Sequence, residues 1–444
     1  MTVRQTWRKP LELTTSIPQQ VEVLIIGGGI VGISTAWFLA RQGISVAVCE
    51  KGHIAGEQSG RNWGWVRQQG RDERELPMMM ESIRIWRGLR DEIGEDVGFT
   101  EGGCLYAAAN EKELAKFDDW VKIARAHDLD TRVVGREQLE QLARGSAANW
   151  PGAMYTASDG RAEPHKATPA LARAAERAGA AVLTACAVRG LDISAGRVTG
   201  AVTEHGLIKA SKVLCAGGAW TSMFCRSVGV DLPQLKVRGT VVRTAPGPDL
   251  LRGTLFDTKI GIRRRQDGGY TIAPGSLLDH VITPSSFRHF RKFLPALRQE
   301  LSSLRLSINK SFIDEWRAPA TWDLANPSPF EAVRVLDPEP NQKAIRLLRR
   351  DLAVLFPALG ELEFVETWAG MIESTPDIVP VIDETAIPGF YVATGFSGHG
   401  FGIGPGAGKA IAALLSDADP GVDLKPLRLS RFFDGSSIRP QSSI

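Results

Sequence analysis

Residues Val21 to Lys51 read VEVLIIGGGIVGISTAWFLARQGISVAVCEK, and the rest of the chain is organised around them. An apolar run, Val23 to Ile26, enters Gly27-Gly28-Gly29-Ile30-Val31-Gly32. A helix-like pattern follows over Ile33 to Gln42, then a second apolar strand, Ser45 to Cys49, that ends on Glu50. Gly27-x-Gly29-x-x-Gly32 supplies a tight turn, close backbone approach to a pyrophosphate and tight packing of helix on strand. The helix N-terminus, with Ile30 beside it, offers free N–H groups and positive dipole to phosphates. Glu50 stands at the end of the second strand, where a carboxylate can bind ribose hydroxyls. Strand, glycine turn, helix, strand and acid together predict a bound dinucleotide. A mere turn before a buried helix would explain the glycines but not the terminal acid.

The 444 residues suit two interleaved domains, and 43% hydrophobic residues can build a substantial core. With 53 Lys and Arg against 50 Asp and Glu, the balance predicts neither nucleic-acid nor anionic-membrane binding. Cys49, Cys104, Cys186, Cys215 and Cys225 show no CxxC spacing, so we expect reduced thiols and a cytoplasmic protein. The first twenty residues have no apolar signal-peptide core, and no window reads as a membrane span. Met78-Met79-Met80 reads as helix packing rather than a metal box, and no metal site is expected.

Further along, Ser59 to Asp72 (SGRNWGWVRQQGRD) reads as a loop over a ligand, because two tryptophans are costly to leave in water. Helical spacing is expected over Leu76 to Ile93, Glu111 to Ala126, Arg136 to Ala143 and Thr168 to Ala178. Strands are expected at Glu101 to Asn110, Ala181 to Cys186 and Leu207 to Cys215, the last ending in AGGAW. Arg263-Arg264-Arg265 sits at a turn. It reads either as a solvated edge or as a strand end that points one arginine toward an anionic substrate. The strand Gly389 to Thr394 enters Gly395-Phe396-Ser397-Gly398-His399-Gly400-Phe401, and a helix is expected from Ala407 to Leu415. The tail, Ser416 to Ile444, is expected to wrap the surface or fray.

With these residues in view, the chain resembles the FAD-dependent amine and amino-acid oxidoreductases that include glycine oxidase, sarcosine oxidase and D-amino-acid dehydrogenase. The likeness rests on VLIIGGGIVGISTAWFLARQG with VCEK, SGRNWGWVR, VLCAGGAW, ETWAGMIESTPDIVPVI and ATGFSGHGFGIGPGAGKAIAALL. It implies an α/β fold with a Rossmann-like FAD-binding domain assembled from 1–80, 150–225 and 330–444. An α+β substrate domain with a mixed sheet would comprise 81–149 and 226–329. The family pattern puts Gly27, Gly29, Ile30 and Gly32 at the pyrophosphate, and Glu50 with Lys51 at the ribose. Ser59, Asn62, Trp63, Gly64 and Trp65 would lie beside the isoalloxazine. Val188, Ala216, Gly217 and Trp220 would stand near the cofactor. Gly370, Gly395, Gly398, His399, Gly400, Phe401 and Ile403 would line the other side of the flavin.

Two departures shape the functional expectation. Ile372 follows WAGM where glycine oxidase has a carboxylate-binding arginine, so the clamp is sought among Arg67, Arg71, Arg263 and Arg265, with Trp368 also at the substrate. Gly402 follows GHGF where sarcosine oxidase has a lysine, and its oxygen-activating lysine falls near Thr271, which argues against fast use of O₂. The family's cysteine before the C-terminal helix is not seen in this sequence, so FAD is expected to be noncovalent. The expected reaction is oxidation of the C–N bond of a small carboxylate-bearing amine: an N-substituted glycine such as sarcosine or iminodiacetate, an opine, or a D-amino acid. Arg67, Arg265 and His399 are the residues expected at the reacting centre, although a glycine-flanked His399 could serve only to pack. Electrons would pass to O₂ or an electron-transfer acceptor. The alternatives are an FAD-dependent 2-hydroxy-acid dehydrogenase and a non-catalytic FAD-binding subunit. A membrane quinone acceptor would suit the first, but no amphipathic anchor stands out in the sequence.

Overall fold

The computed structural model describes residues 16–275, 277–300 and 304–440. The expectation for the extreme N-terminus therefore lies largely outside the described residues, as does the end of the tail. Two large sheets carry the chain, one of eight strands and one of ten. In the first, Ala181–Leu183, Val46–Cys49, Gln20–Ile26, Gly206–Cys215 and Phe390–Thr394 lie side by side and parallel. These strands are nearly continuous apolar runs because both faces are covered. Three of them end where the glycine segments begin: Ile26 before Gly27, Cys215 before Ala216, and Thr394 before Gly395. Carboxyl ends of parallel strands are where open α/β sheets bind ligands.

The helix of the opening motif runs from Ile30 to Arg41, three residues earlier than its periodicity suggests. Gly32 is therefore inside the helix, where any Cβ would collide with the Gly27 carbonyl. The last helix also starts early, at Gly400 rather than Ala407. Its glycines are packing residues. A Cβ at Gly406 would strike the Met78 carbonyl, and one at Gly408 would strike Ser34. Helix Gly400–Leu415 thus fits between Ile30–Arg41 and Leu76–Ile93, and all three share one buried cluster.

The ten-stranded sheet is built on Leu235–Thr244, which pairs along its length with Phe364–Ser374. Strand Gly152–Thr156 and its neighbour Thr131–Gly135 also belong to this sheet and were not anticipated. The sheets therefore divide the chain at other places than the expected boundaries. Residues 152–156 and 364–374 join the second sheet, while Leu76–Ile93 runs past residue 80 in the core of the first. Strand pairing between distant segments decides this, and local pattern does not report it.

The expected loop over 59–72 overlaps a short helix, Gln58–Arg61, and contains a two-residue strand, Trp65–Val66. Arg61 ties it to the second sheet by donating to the Ala369 carbonyl at 3.0 Å, and Trp368 Nε1 donates back to the Arg61 carbonyl at 2.8 Å. The strand Ile260–Arg264 corrects the reading of 263–265 as a solvated edge: Arg263 and Arg265 are buried. No described helix is long and apolar enough to cross a membrane.

Candidate active site

An open groove runs along the carboxyl ends of the parallel strands. At its floor Gly27 adopts φ +111°, and a Cβ there would lie 2.5 Å from the Ala216 carbonyl oxygen. Gly29 is the N-cap of the first helix and brings no side chain to cap it. The Glu50 carboxylate closes the turn by accepting from Gly28 N and Gly52 N, both at 2.7 Å. Burial pushes its carboxyl up, and these two donors oppose the shift.

Of the residues expected at the cofactor, Gly27, Gly29, Ile30, Glu50, Lys51, Ser59 and Asn62 line this groove. So do Val188, Ala216, Gly217, Trp220, Gly398, Gly400 and Phe401. The others lie behind the wall. Gly32 and Ile403 are packed inside helices. Trp63 and Trp65 meet edge to face at 5.4 Å, and Gly64 packs against Ala162 and Arg263. Gly370 leaves room for the Gln58 amide, and Gly395 turns at φ +74° against Thr375.

The sequence reading missed the rim of the groove. Glu57 accepts from Lys51 Nζ at 2.8 Å, Trp220 Nε1 at 2.9 Å and Leu336 N at 3.1 Å, which joins three distant segments. Trp220 lies between two ammonium groups, Lys51 at 4.3 Å and Lys236 at 5.3 Å. Across the strands from Lys236 stands Glu373, whose carboxyl burial pushes up to about 7. Glu373 lies within the quoted family segment, but nothing in its neighbours signals its burial.

Next to the Phe396–Phe401 side of the groove is a buried group of charges. His399 Nδ1 is 3.3 Å from Glu75 Oε1, and Arg71 Nη1 is 3.8 Å from the same oxygen. Neither contact is a hydrogen bond: both Glu75 oxygens, Arg71 Nη1 and His399 Nδ1 are buried without one. Burial and Arg71 push the imidazole down to about 4, so it is neutral at pH 7. Burial and Arg67 push the Arg71 guanidinium down to about 10. Burial opposes ionisation of Glu75, yet His399, Arg71 and Arg67 outweigh it and hold the carboxyl below its usual value. Arg67 lies 5.3 Å over the Tyr106 ring and donates to the Gln69 carbonyl. The Arg71–Glu75 spacing, i to i+4, was the available sequence signal for Glu75.

The other expected clamp residues are engaged differently. Arg263 meets Glu163 through two hydrogen bonds, 2.9 and 3.0 Å, and donates to the Trp63 carbonyl. Arg265 is held by Asp267 at 3.1 Å. Trp368 is buried among Val241, Ala273 and Trp63. Arg67, Arg71 and His399 are brought together; Arg263 and Arg265 form a separate cluster around Glu163.

Comparison with known proteins shows the family. Residues 22–414 match the family described as DAO, FAD dependent oxidoreductase. The chain belongs to this family. It is an oxidoreductase, and its cofactor is FAD. The L-amino acid deaminase of Proteus myxofaciens, solved in complex with anthranilate, superposes with a TM-score of 0.92 at 32% identity and 97% coverage of both chains. Sarcosine oxidase subunit beta of Arthrobacter sp is 25% identical over 94% of this chain and 92% of its own length. Glycine oxidase of Geobacillus kaustophilus is 27% identical over 92% and 97%. The chain spans 43% of the length of the human mitochondrial sarcosine dehydrogenase that it also matches. The residues present suit FAD. The glycine floor admits a pyrophosphate, and the N-terminus of the first helix, whose cap residue Gly29 brings no side chain, opens on the same groove.

Proposed function

We propose that this flavoprotein oxidises the C–N bond of a small amine carrying a carboxylate, giving an imine that water hydrolyses to an oxo acid and a smaller amine. Bound FAD accepts the two electrons and the hydrogen, the hydride equivalent lost from carbon. The chain binds and orients. Arg67 and Arg71 hold the carboxylate, and Glu75 restrains Arg71 and His399. Two guanidinium groups nearby disfavour an ammonium, so the substrate is bound as the neutral amine and no strong base is required. The observation that carries this reading is the buried, incompletely hydrogen-bonded Arg71–Glu75–His399 group beside the groove.

The substrate class comprises sarcosine, iminodiacetate and other N-substituted glycines, opines and D-amino acids. The likeness to L-amino acid deaminases, at 32% and 29% identity, adds L-amino acids. FAD is held noncovalently. The Cys186 hydrogen bond and burial keep the Cys49 thiol protonated, and burial pushes Cys215 up to about 11, so neither cysteine lining the groove is a good nucleophile. The lysine of sarcosine oxidase has no room at Gly402, where a Cβ would lie 2.9 Å from the Trp65 carbonyl. The oxygen-activating lysine of that family falls near Thr271, which brings no amine, so an acceptor other than O₂ is favoured.

An anaerobic visible spectrum, titrated with sarcosine, iminodiacetate, D-alanine, D-proline, L-phenylalanine and 2-hydroxyglutarate, tests the reading. Bleaching by an amine supports it, and slow recovery in air supports another acceptor. Bleaching by the hydroxy acid alone would replace it with C–O oxidation, for which the neutral His399 would serve as the base.

A further inference from the structure

Among the described residues three acids line the cofactor groove: Glu50, Glu57 and Glu373. Donors occupy both oxygens of the first two. Glu50 accepts from Gly28 N and Gly52 N, one on each oxygen. Glu57 accepts from Lys51 Nζ, Leu336 N and Trp220 Nε1, the last reaching both oxygens. Glu373 differs. It stands near the end of strand Phe364–Ser374, two residues after Met371, so both side chains leave the same face of the strand and both line the groove. The residue is 8% exposed. Its place is fixed by the loop that follows strand Phe390–Thr394, where Ser397 N donates to the Glu373 carbonyl at 3.1 Å.

The charges around Glu373 are committed to other partners. Burial raises its carboxyl to about 7 and Glu57 pushes the same way, while the N–H groups of Glu373 itself and of Phe396 oppose them. Lys51 is bonded to Glu57. Lys236, opposite Glu373 in the strand pair, lies over the Trp220 ring at 5.3 Å, with Glu315 and Glu57 as its acidic neighbours and Lys51 and Arg226 as its basic ones. Arg334, also at the groove, pairs with Glu204 at 2.6 Å, and His399 faces Glu75. An ionised Glu373 would therefore meet the negative charge of an FAD pyrophosphate with no counter-ion of its own, and like charges in one site favour protonation. A carboxylic acid, in contrast, has an O–H to donate. We propose that Glu373 is a cofactor-binding residue that serves as the neutral acid: it donates a hydrogen bond to FAD and takes up a proton from water when FAD enters the groove at alkaline pH. FAD thus prefers the protonated chain. Its affinity is greatest in mild acid and falls as pH rises past about 7.

The test reads FAD release rather than turnover. Holoenzyme is diluted at a series of pH values from about 6 to about 8.5, and the fluorescence of the released flavin gives the dissociation constant at each. For the wild type the constant should rise about tenfold over that range, approaching one proton per FAD. Glu373→Gln keeps a donor and loses the titration, so its constant should vary by less than about twofold across the range and lie below that of the wild type at the alkaline end. Glu373→Met removes the donor as well. Its constant should be equally flat but higher than that of the Gln variant, and it carries the pH test if the Gln variant does not fold. A wild-type constant that ignores pH would overturn the proposal. So would variants that keep the wild-type slope while every value shifts by one factor, which would leave Glu373 a packing role and give the proton to another group such as Glu50. The inference rests on the cofactor and not on the substrate, so its failure would leave the reaction proposed above standing.

Discussion

The loop Trp63 to Arg71 is flanked by two buried arginine clusters that treat their charge in opposite ways. Around Arg263, both oxygens of Glu163 are engaged by the guanidinium, and the Gln266 amide adds a third bond to that carboxylate at 2.9 Å. Around Arg71, the carboxylate of Glu75 lies between a guanidinium and an imidazole and hydrogen-bonds to neither. A satisfied buried pair holds a fold together. An unsatisfied one carries a standing cost that a ligand can relieve, which is why perturbed charges collect at functional sites. The contrast ranks the candidate clamps: Arg67 and Arg71 for substrate, Arg263 for structure.

The largest effect should come from Arg67→Met. Losing a guanidinium from a desolvated carboxylate site costs about 3 kcal/mol or more, a hundredfold or greater fall in kcat/KM. Anaerobic flavin reduction measures it, with the flavin spectrum unchanged. Next is Glu163→Gln, which strands Arg263 and should cost about 3 kcal/mol of stability at pH 7 while kcat/KM per bound flavin stays within about twofold. The sign with pH follows from the carboxyl, which Arg263 holds down at about 2 against the opposing effect of burial. Its contribution is complete above the usual glutamate value and is lost as pH falls toward 2. Denaturant unfolding should therefore show the gap between variant and wild type closing in acid. A gap that persisted at low pH would mean that the pair is not what stabilises this cluster.

Much of the nucleotide sheet was legible because its signals are local. The apolar strand, the glycines and the terminal acid, Glu50, lie within residues 20–50, and helices Leu76–Ile93 and Glu111–Ala126 have the bounds that their periodicity suggests. Several things were not legible, and each depends on a distant partner. Gly406 reads as a loop residue until helix Leu76–Ile93 is placed against it, and the close packing at Gly408 shows only once helix Ile30–Arg41 is placed there. Arg263 read either as a solvated edge or as a substrate contact because Glu163, a hundred residues away, is invisible from its neighbours. Helices Pro284–Arg288, Phe290–Glu300 and Lys310–Arg317 passed without notice because each is too brief to show a sustained period.

Glu75→Gln sharpens the comparison from inside the unsatisfied cluster. The carboxylate raises the proton affinity of His399, against burial and Arg71, and the sum stands at about 4. Removing the negative charge should lower that value, so the acid limb of kcat/KM against pH should move to lower pH by about one unit, tenfold in proton affinity. A merely structural Glu75 would lower activity at every pH and leave the limb in place. A limb that moved upward would mean that Arg71, freed from Glu75, had swung away from the imidazole.

The smallest effect should be that of Arg265→Ala, and it is the most direct way to break the ranking. Arg265 is itself buried, but its partner Asp267 is half exposed, so the pair is screened and worth at most about 1 kcal/mol. Its remaining contact, Nη1 to Thr271 Oγ1 at 3.4 Å, is long. We therefore expect kcat/KM to change by less than about threefold and the binding constant for a carboxylate-bearing amine to stay within the same range. Arg265 nonetheless lies close to Glu163, Arg263 and Arg243, so its removal makes that cluster less positive. If the substrate carboxylate sat there, Arg265→Ala would raise KM strongly while Arg67→Met left it unchanged. That pattern would exchange the roles of the two clusters. The hydrogen bonds already filled around Glu163 are the reason to expect the opposite.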